Sequence, residues 1–349
     1  MNVESLIRDW DGETVITRYD KPTGAWMFIA IHSTRRGPAC GGTRMKAYPD
    51  FASALQDALK LSAGMTFKFA AADFEFGGGK AVIALASNFD VSLRADLLRR
   101  YGALVRQLDG LYYTGPDVGT CSADMDIIAE TGSPYVFART PQAGGAGDSG
   151  PITGLGVFHA IKTTCEFLDG SDSLVGRKVL VQGAGSVGKT LIRHLLSAGA
   201  DVSFNDVEPA AIDYCRQELN LPFVPSDQIF STPCDIFSPC ALGGILNEKT
   251  IPQLQCRAVV GAANNQLATL ADADSLRERN ILYAPDFINN LGGAMGITGI
   301  EALHWSERQA EQRVIDAITR TLREVFELAK KENISTDAAA RRIVQARML

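Results

Sequence analysis

The stretch Val179-Leu-Val-Gln-Gly-Ala-Gly-Ser-Val-Gly188 decides the fold of the second half of the chain. Val179–Gln182 is typical of a buried strand, and it runs directly into three glycines with the spacing Gly-x-Gly-x-x-Gly. A helix is predicted to follow over Lys189–Ala198. Because glycine permits a tight turn and a helix amino terminus attracts negative charge, this turn is suited to bind the pyrophosphate of a dinucleotide.

An acidic residue follows the turn at the distance expected for a dinucleotide site. Asp206 ends the next predicted strand, 18 residues beyond Gly188, where a carboxylate can bind the ribose hydroxyls of NAD. Val207 and Glu208 come next, so a 2′-phosphate would be repelled and NAD is favoured over NADP. The alternative is a glycine-rich turn in another kind of α/β protein. The motif predicts these cofactor-binding residues: Gly183, Gly185, Ser186, Val187, Gly188 and Asp206.

Around this motif, short β-branched runs alternate with helical patterns. Strands that alternate with helices predict βαβ units and a parallel sheet. A cluster of glycines over residues 144–150 indicates a hinge before the first of these units. We therefore predict a Rossmann-type dinucleotide-binding domain over residues 144–332. Its predicted strands are Lys178–Gln182, Asp201–Asn205, Asp235–Phe237, Arg257–Val260 and Ile281–Tyr283.

The first half of the chain has a different pattern, which indicates a separate α/β domain over residues 1–143. Two runs alternate apolar and polar residues around turn residues, which indicates a hairpin. A glycine-rich loop and a helix come next, and two further strands follow. The predicted elements are the hairpin Thr14–Asp20 and Trp26–His32, the loop 37–42, a helix from Asp50 to about Ala63, and strands Thr66–Ala72 and Ala81–Leu85.

Two lysines in this half stand out because of their neighbours. Lys68 lies between two phenylalanines in a predicted strand, and Lys80 follows three glycines. A partly buried lysine near another cation loses its proton more readily, which makes it a usable base. One lysine would hold an anion while the other titrates; the alternative is a pair of solvated structural lysines. A P-loop is excluded because its spacing is missing and Ala81 stands where Ser or Thr would bind Mg²⁺.

The bulk composition bounds the class of protein. A chain of 349 residues exceeds one ordinary core, which predicts two domains. The net charge of −6 disfavours nucleic acid as a partner, and no apolar run is long enough to predict a membrane span. No secretory signal pattern opens the chain, and the seven cysteines include no CxxC pair. These features predict a cytoplasmic protein with free thiols and no metal site.

Short segments spread in order along nearly the whole chain carry a further signal. They are Gly37-Pro-Ala-Cys-Gly-Gly-Thr-Arg44, Gly64-Met-Thr-Phe-Lys68, Gly77-Gly-Gly-Lys80, Thr114-Gly-Pro-Asp117-Val-Gly-Thr120, Ser238-Pro-Cys-Ala-Leu-Gly-Gly244, Gly261-Ala-Ala-Asn-Asn265, Ala284-Pro-Asp-Phe287 and Gly292-Gly293. Together they resemble the glutamate/leucine/phenylalanine/valine dehydrogenase family. The chain length and the closing helices resemble its leucine and phenylalanine branch rather than the longer glutamate enzymes.

The resemblance implies an NAD-dependent L-amino-acid dehydrogenase with divided roles. Lys68 would hold the substrate carboxylate, Lys80 would act as the general base on water, and Asp117 would bind the amino group and shuttle protons. The resemblance also implies a cleft between the two domains that closes over substrate, and assembly into homo-oligomers. By the same resemblance, the first domain, residues 1–143, would contain a mixed sheet, bind the substrate and mediate oligomerisation. A C-terminal helix over about 333–349 would return to this domain.

Further positions acquire expected roles from the same resemblance. They line the substrate pocket or lie near the nicotinamide and its carboxamide. The expected substrate-binding residues are Cys40, Gly41, Gly42, Lys68, Asn265, Asn290, Ala294 and Ile297. The expected cofactor-binding residues outside the glycine-rich turn are Thr153, Cys240, Ala241 and Asn265.

The preferred amino acid depends on a few of these positions. No group for binding a side-chain carboxylate is evident, which disfavours glutamate. Cys40 and Ala294 are smaller than the residues expected in leucine enzymes, so the resemblance favours phenylalanine, with leucine or valine as the alternative. One methylene in such a pocket is worth only roughly 1–3 kcal/mol, so broad selectivity is compatible with it.

Two remote alternatives come from other classes of protein. The first is an inactive NAD-binding regulator on the same fold, which would have no need of Lys68, Lys80 and Asp117. The second is a 2-hydroxy-acid dehydrogenase, which would rely on a catalytic histidine. None of the four histidines stands beside the proposed site motifs, so both alternatives are disfavoured.

Overall fold

The computed structural model describes residues 3–348, in which ten strands form two five-stranded sheets. The strands are β1 (Thr14–Asp20), β2 (Ala25–Ser33), β3 (Ala39–Ala47), β4 (Gly77–Leu85), β5 (Tyr112–Pro116), β6 (Lys178–Gln182), β7 (Asp201–Asn205), β8 (Ile236–Pro239), β9 (Ala258–Val259) and β10 (Leu282–Tyr283). The α-helices are α1 (Val3–Trp10), α2 (Phe51–Ala72), α3 (Arg94–Gln107), α4 (Ser122–Gly132), α5 (Gly150–Asp169), α6 (Ser186–Ser197), α7 (Pro209–Asp213), α8 (Asp272–Glu278), α9 (Asp286–Asn289), α10 (Leu291–Leu303), α11 (Glu307–Glu332) and α12 (Thr336–Met348).

The described chain divides into two compact units. The first comprises residues 3–148 and 297–305 together with residue 348, and the second comprises residues 149–296 and 306–347. The first division falls inside the glycine-rich segment 144–150, close to the predicted boundary at residue 143. The fold class is therefore α/β with two units, as the sequence predicts.

The sheet of the first unit is mixed. Its strand order is β1-β2-β4-β3-β5. Strands β1, β2 and β4 pair antiparallel, whereas β3 runs parallel to both β4 and β5. The mixed sheet and the opening hairpin were both predicted from the sequence, and both are confirmed.

Alternation along the central strands assigns their side chains to two helical layers. Phe28 on β2 and Val82 on β4 are buried in one cluster with residues of α2, including Leu55. Their neighbours Ile29 and Ile83 are buried on the opposite face, against α3 and α4. Each fully buried side chain of this size contributes about 1.5–3 kcal/mol, so the two layers hold the sheet rigid between them.

Helix α2 corrects the prediction of a strand over Thr66–Ala72. The helix continues without a break for 22 residues, from an amino terminus where the Asp50 carboxylate accepts the Ser53 backbone N–H at 2.7 Å. Buried residues recur along the helix at helical spacing on the side facing the sheet, from Leu55, Leu59, Ser62 and Thr66 to Phe69. Burial of that face overrides the β-propensity of threonine and phenylalanine in this segment. Lys68 therefore lies on a helix.

The predicted loop over residues 37–42 is also corrected, because residues from Ala39 onward form β3. Here the glycines serve close packing of neighbouring strands. A Cβ at Gly41 would lie 1.8 Å from the Gly79 carbonyl oxygen. A Cβ at Gly42 would lie 2.4 Å from the Pro116 carbonyl oxygen. A sequence rich in glycine resembles a loop, but here it marks a central strand that other backbones approach closely.

The second unit contains the parallel sheet that the alternating pattern predicts. Its strand order is β10-β9-β8-β6-β7, and every adjacent pair is parallel. The apolar side chains Leu180, Phe237, Val259 and Tyr283, one from each of four strands, belong to the same buried cluster. Strands β6 and β7 with the intervening α6 form the βαβ arrangement expected of a dinucleotide-binding domain.

The closing helix α12 lies in the second unit, which differs from the prediction that it returns to the first. Thr336 donates a hydrogen bond to the Tyr283 carbonyl oxygen of β10, and Arg347 binds Glu324 of α11 at 2.6 Å. Asn333 ends α11 in a left-handed conformation and reverses the chain, so α12 folds back on its own unit. The segment that belongs to the first unit is instead 297–305, the end of α10.

Two absences concern residues 3–348 alone. No helix in that range is both long enough and apolar enough to cross a membrane. The same range holds no group of three or more His, Cys, Asp or Glu residues arranged to bind a metal ion. The seven cysteines, all of which lie in it, are free thiols.

Candidate active site

A buried lysine and a carboxylate meet at the end of the first unit's sheet. Lys80 lies on β4, and its side chain points to the face covered by α2, like that of Val82 two residues on. The Lys80 Nζ lies 3.1 Å from the Asp117 Oδ2, with the lysine side chain only 7% exposed. Burial and the neighbouring carboxylate both shift the pKa of an amine in this position, as is common at catalytic sites.

The loop after β5 holds Asp117 in place. The Asp117 N–H donates to the Thr120 hydroxyl at 3.0 Å, and that hydroxyl donates to the Thr43 carbonyl oxygen at 2.8 Å. Gly119, with φ +83, lies so close to β3 that a Cβ would be 1.8 Å from the Met45 carbonyl oxygen. The segment Asp117-Val-Gly-Thr120 is therefore a tight turn fastened to the neighbouring strand.

A third charged residue, Arg44, contacts the same carboxylate. Its Nε donates to Asp117 Oδ2 at 2.8 Å, and its Nη1 lies 3.0 Å from an oxygen of Asp57 on α2. The Tyr48 hydroxyl donates to that Asp57 oxygen at 2.6 Å. The sequence analysis missed Arg44, Asp57 and Tyr48. Arg44 stands two positions after the paired glycines, but only the structure shows that its strand lies beside the strand of Lys80.

These contacts set the protonation of the pair. Burial lowers the pKa of Lys80, and the negative charge of Asp117 opposes this effect only in part. Burial alone would raise the pKa of Asp117, but the charges of Lys80 and Arg44 hold it below the usual value. Lys80 therefore releases its proton more readily than an ordinary lysine, and Asp117 stays ionised.

Lys68 lies on α2, half-buried, eleven residues after Asp57. Eleven residues are about three helical turns, so the two side chains leave the same side of the helix. The neighbouring Thr66 packs against Gly78 of β4, where a Cβ would lie 2.1 Å from the threonine backbone nitrogen. The second lysine of the predicted pair is thus on the helix that covers the Lys80 face.

A small thiol and an aromatic ring stand next to this group. Cys40 pairs in register with Gly78 on one side and Tyr113 on the other. Its sulfur lies 3.7 Å from the Thr298 hydroxyl oxygen. Burial raises the pKa of the thiol to about 12, so the Cys40 side chain is uncharged at neutral pH. The adjacent residue, Ile297, is buried in the same unit.

The Tyr113 ring belongs to an aromatic cluster that the sequence analysis did not single out. It stacks on Phe137 with ring centroids 5.0 Å apart and meets Phe76 edge-on at 6.0 Å. Such clusters are rigid and apolar, which suits them to contact another flat ring. Tyr113 pairs with Cys40 on the neighbouring strand. The alternation of side chains along β5 was the signal that could have placed the Tyr113 ring beside that thiol.

In the second unit, the glycine-rich turn between β6 and α6 is closely packed. Gly183 has φ +94, and a Cβ there would lie 2.8 Å from the Ala241 Cβ, so the loop beginning at Cys240 closes on the turn. A Cβ at Gly188 would lie 1.9 Å from the Gly183 carbonyl oxygen. Helix α6 begins at Ser186, three residues earlier than predicted, so Ser186 and Val187 form its first turn.

Asp206 follows β7 directly, at the predicted strand end. Its Oδ2 accepts the Ala184 N–H at 2.6 Å, and its Oδ1 accepts the N–H groups of Val207 and Glu208 at 2.7 and 2.8 Å. The carboxylate is thereby tied to the glycine-rich turn. The backbone bonds orient it, and its remaining lone pairs can accept hydroxyl hydrogens.

Two further predicted residues of the second unit, Asn265 and Asn290, lie close to Asn264. Asn290 donates to the Ala262 carbonyl oxygen at 3.0 Å and to Asn264 Oδ1 at 2.8 Å. Its own Oδ1 is buried and accepts no hydrogen bond from any residue in the described range. The backbone of Asn265, in a left-handed conformation, donates to Asp286.

Helix α5 and helix α10 also contact each other near predicted residues. The Thr153 hydroxyl donates to the Ser149 carbonyl oxygen at 2.8 Å. A Cβ at Gly293 would lie 2.7 Å from the Thr153 Oγ1, so this glycine allows the close approach. The next residue, Ala294, is half-buried on α10.

NAD fits the residues of this unit. The cradle formed by Gly183 and Gly188 leaves no room for a Cβ, as a turn around a pyrophosphate requires. The Asp206 carboxylate follows β7 directly, where it can meet a ribose. The buried Asn290 Oδ1 offers an unused acceptor for an N–H donor.

Comparison with known proteins identifies the relatives of the chain. Residues 19–133 match the family described as Glu/Leu/Phe/Val dehydrogenase, dimerisation domain. Residues 144–213 and 204–348 match the family described as Glutamate/Leucine/Phenylalanine/Valine dehydrogenase.

Individual relatives include enzymes named for different amino acids. Leucine dehydrogenase of Geobacillus stearothermophilus is 39% identical over 348 residues, covering 100% of this chain and 94% of that protein. Phenylalanine dehydrogenase of Lysinibacillus sphaericus is 42% identical over 338 residues, covering 95% and 87%. The crystal structure of L-tryptophan dehydrogenase from Nostoc punctiforme is 39% identical, covers 99% of this chain and 98% of that one, and superposes with a TM-score of 0.84.

Proposed function

This chain belongs to the glutamate/leucine/phenylalanine/valine dehydrogenase family, and from that premise we propose that it catalyses the reversible, NAD-dependent oxidative deamination of a hydrophobic L-amino acid. The amino acid, water and NAD⁺ give the 2-oxo acid, ammonium, NADH and one proton. The observation that carries the proposal is the buried contact between Lys80 and Asp117 at 3.1 Å. A lysine with a lowered pKa beside an ionised carboxylate supplies both a base and an acceptor for a substrate ammonium.

The side chains of the first unit divide the work on the substrate. Lys68 binds the α-carboxylate, and Asp117 accepts hydrogen bonds from the amino group and takes one of its protons. Lys80 then removes a proton from water as the water oxygen attacks the imino carbon. Asp117 returns a proton to the nitrogen. The C–N bond then breaks and ammonia leaves, while the hydroxyl group of the intermediate gives its proton to solvent and becomes the carbonyl group of the 2-oxo acid.

Bound NAD⁺ would supply the acceptor for the hydride of the substrate Cα. In the second unit Gly183, Gly185 and Gly188 would hold its pyrophosphate, with the first turn of α6 facing the negative charge. Asp206 accepts the ribose hydroxyls, and its negative charge disfavours a 2′-phosphate, so NAD is preferred over NADP. The residues assigned to the nicotinamide end are Thr153, Cys240, Ala241, Asn265 and Asn290.

Phenylalanine is the favoured substrate. Cys40 and Ala294 are small, Ile297 is apolar, and the Tyr113 ring with its stacked partner Phe137 suits an aromatic side chain. A leucine- or valine-type aliphatic is the second candidate, because the leucine dehydrogenase of Geobacillus stearothermophilus is about as similar as the phenylalanine enzyme. Gly41 and Gly42 line the pocket floor in either case.

The same proposal includes the assembly and the location of the enzyme. A homo-oligomer is supported by the match of residues 19–133 to a domain described as a dimerisation domain. A cytoplasmic location is supported by the seven free thiols, which persist in a reducing compartment. The proposed reaction uses no catalytic histidine, and this distinguishes it from the reaction of a 2-hydroxy-acid dehydrogenase.

A substrate screen tests the proposal. Purified protein with NAD⁺ is supplied with each L-amino acid, and NADH formation is followed by absorbance. We expect the highest kcat/KM with phenylalanine, a lower value with leucine and valine, and none with 2-hydroxy acids. A higher kcat/KM with leucine than with phenylalanine would reverse the substrate ranking. NAD binding without turnover of any amino acid would favour the inactive regulator.

A further inference from the structure

We propose that Arg44 is a positioning residue which, with Asp57 behind it, holds the Asp117 carboxylate against Lys80 and sets the balance of charge around that amine. The inference rests on the proposed function and assigns to it two residues outside the lysine and aspartate core. The contacts that support it connect helix α2 through β3 to the loop after β5.

One guanidinium bridges two carboxylates that come from different elements. Arg44 Nε donates to Asp117 Oδ2 at 2.8 Å, and Nη1 donates to the two Asp57 oxygens at 3.0 and 3.3 Å. The donors of a guanidinium lie in one plane at fixed angles. Two carboxylates held by the same plane are therefore fixed relative to each other, so α2 orients the loop that carries Asp117.

Both cations that touch Asp117 bind the same oxygen. Lys80 Nζ lies 3.1 Å and Arg44 Nε lies 2.8 Å from Oδ2. Two donors on one oxygen fix the rotation of the carboxylate, and its other oxygen, Oδ1, is thereby directed elsewhere. In the proposed reaction that second oxygen is the one presented to the substrate amino group.

Asp57 gives Arg44 a counter-charge of its own. The Asp57 carboxylate accepts from Arg44 and from the Tyr48 hydroxyl at 2.6 Å. The side chains of Arg44 and Asp57 are 19% and 22% exposed, so solvent screens their charges only in part. Removing either charge should change the pKa of Lys80, and the two removals should change it in opposite directions.

The charges around Lys80 come from every element packed against it. The Arg44 cation lowers the pKa of Lys80, whereas the Asp57 and Asp117 anions raise it, and burial is the largest effect. The titratable and charged residues of these elements are His32 on β2, Cys40, Arg44 and Lys46 on β3, Asp57, Lys60 and Lys68 on α2, Tyr112 and Tyr113 on β5, and Asp117 after β5.

A purely structural role for Arg44 makes a different prediction. An ion pair that only joins β3 to α2 would change the stability of the fold when broken. It would leave the pH dependence of turnover where it was, apart from a loss in amplitude. The pH profile therefore separates positioning of the catalytic pair from simple reinforcement of the fold.

The test compares the pH dependence of kcat/KM for oxidative deamination in four variants. In the wild type, kcat/KM rises with pH as the Lys80–Asp117 pair loses its proton. Arg44→Met should move this limb to higher pH by about one unit, because a cation that disfavours protonated Lys80 is gone. Asp57→Asn should move it to lower pH, since the loss of an anion leaves Arg44 unopposed.

Two further variants complete the set. Arg44→Lys keeps the charge but loses the planar fork, so the limb should stay within a few tenths of a unit while kcat falls by roughly a hundredfold through misplacement of Asp117. Lys21→Met is the control, because it removes an exposed cation from the same unit, in the turn between β1 and β2, which carries none of the residues that contact Lys80, Arg44 or Asp57. Its limb should match the wild type.

Opposite shifts in Arg44→Met and Asp57→Asn support the inference. Unmoved limbs, or shifts in the same direction, would overturn it and leave the proposed function intact if the wild type is active. A wild type with no turnover would overturn both. If Arg44→Met fails to fold by circular dichroism, the Asp57→Asn shift and the Arg44→Lys loss of kcat decide alone.

Discussion

At the scale of single residues, the chemistry of this protein depends on where two lysines lie relative to one carboxylate. The sequence predicted Lys68, Lys80 and Asp117 as a group. The structure brings Lys80 and Asp117 into contact and places Lys68 on the helix above that face. Arg44 was not predicted, because nothing in its own neighbourhood shows that the loop around Asp117 folds back on it.

Lys68 provides the first prediction at this scale. Lys68→Ser should raise the KM for the amino acid by roughly ten- to a hundredfold and change kcat less, because a charged hydrogen bond to the carboxylate is lost. Initial-rate kinetics with saturating NAD⁺ measure both constants. Lys60→Ser, at an exposed position on the same helix, is the control and should leave KM unchanged. An unaltered KM in Lys68→Ser would contradict the assigned role.

At the scale of elements, glycines and local propensity misled the sequence analysis in two places. The segment Thr66–Ala72 has strand-like composition but continues α2, because Thr66 and Phe69 extend at helical spacing the buried stripe that includes Leu59 and Ser62. The glycines around Gly41 resemble a loop but lie in β3, where neighbouring backbones leave no room for a side chain. In both places tertiary contacts, which a single sequence does not display, decide the outcome.

The continuity of α2 can be tested at Gly64. This residue lies inside the helix, exposed, with open space where a Cβ would go. Gly64→Ala should therefore raise the free energy of unfolding by about 1 kcal/mol, the difference in helix propensity. Chemical denaturation measures the change.

A second glycine with open space around it serves as the control for Gly64→Ala. Gly144 also has no atom near its Cβ position, but its φ is +76. Gly144→Ala should destabilise the protein, because an L-residue is strained in that conformation. Destabilisation by Gly64→Ala would indicate that the helix is interrupted there.

At the scale of the whole molecule, the sequence predicted two α/β units, one with a mixed and one with a parallel sheet. Both units are observed in the structure. The prediction succeeds because hydrophobic periodicity distinguishes half-buried hairpin strands from strands that alternate with helices. The last helix was expected to return to the first unit, whereas residues 306–347 group with the second. The reversal at Asn333 and the contact of Thr336 with β10 keep α12 in the second unit.

The end of α10, rather than α12, is what belongs to the first unit. Thr298 lies against Cys40, and the Glu301 carboxylate accepts the N–H groups of Ala138 and Ala146 at 2.7 and 2.8 Å. Burial raises the pKa of Glu301, although these backbone donors oppose the shift. No periodicity marks this change of unit, because the helix itself continues through it.

One measurement tests the central claim most directly: NADH formation from phenylalanine by the wild type and by Lys80→Ala, with NAD binding to both followed by tryptophan or NADH fluorescence. We predict turnover in the wild type and a loss of at least a hundredfold in kcat in Lys80→Ala, with NAD affinity within a few-fold of the wild type, because only the general base is removed. Near-normal turnover in Lys80→Ala would contradict the account.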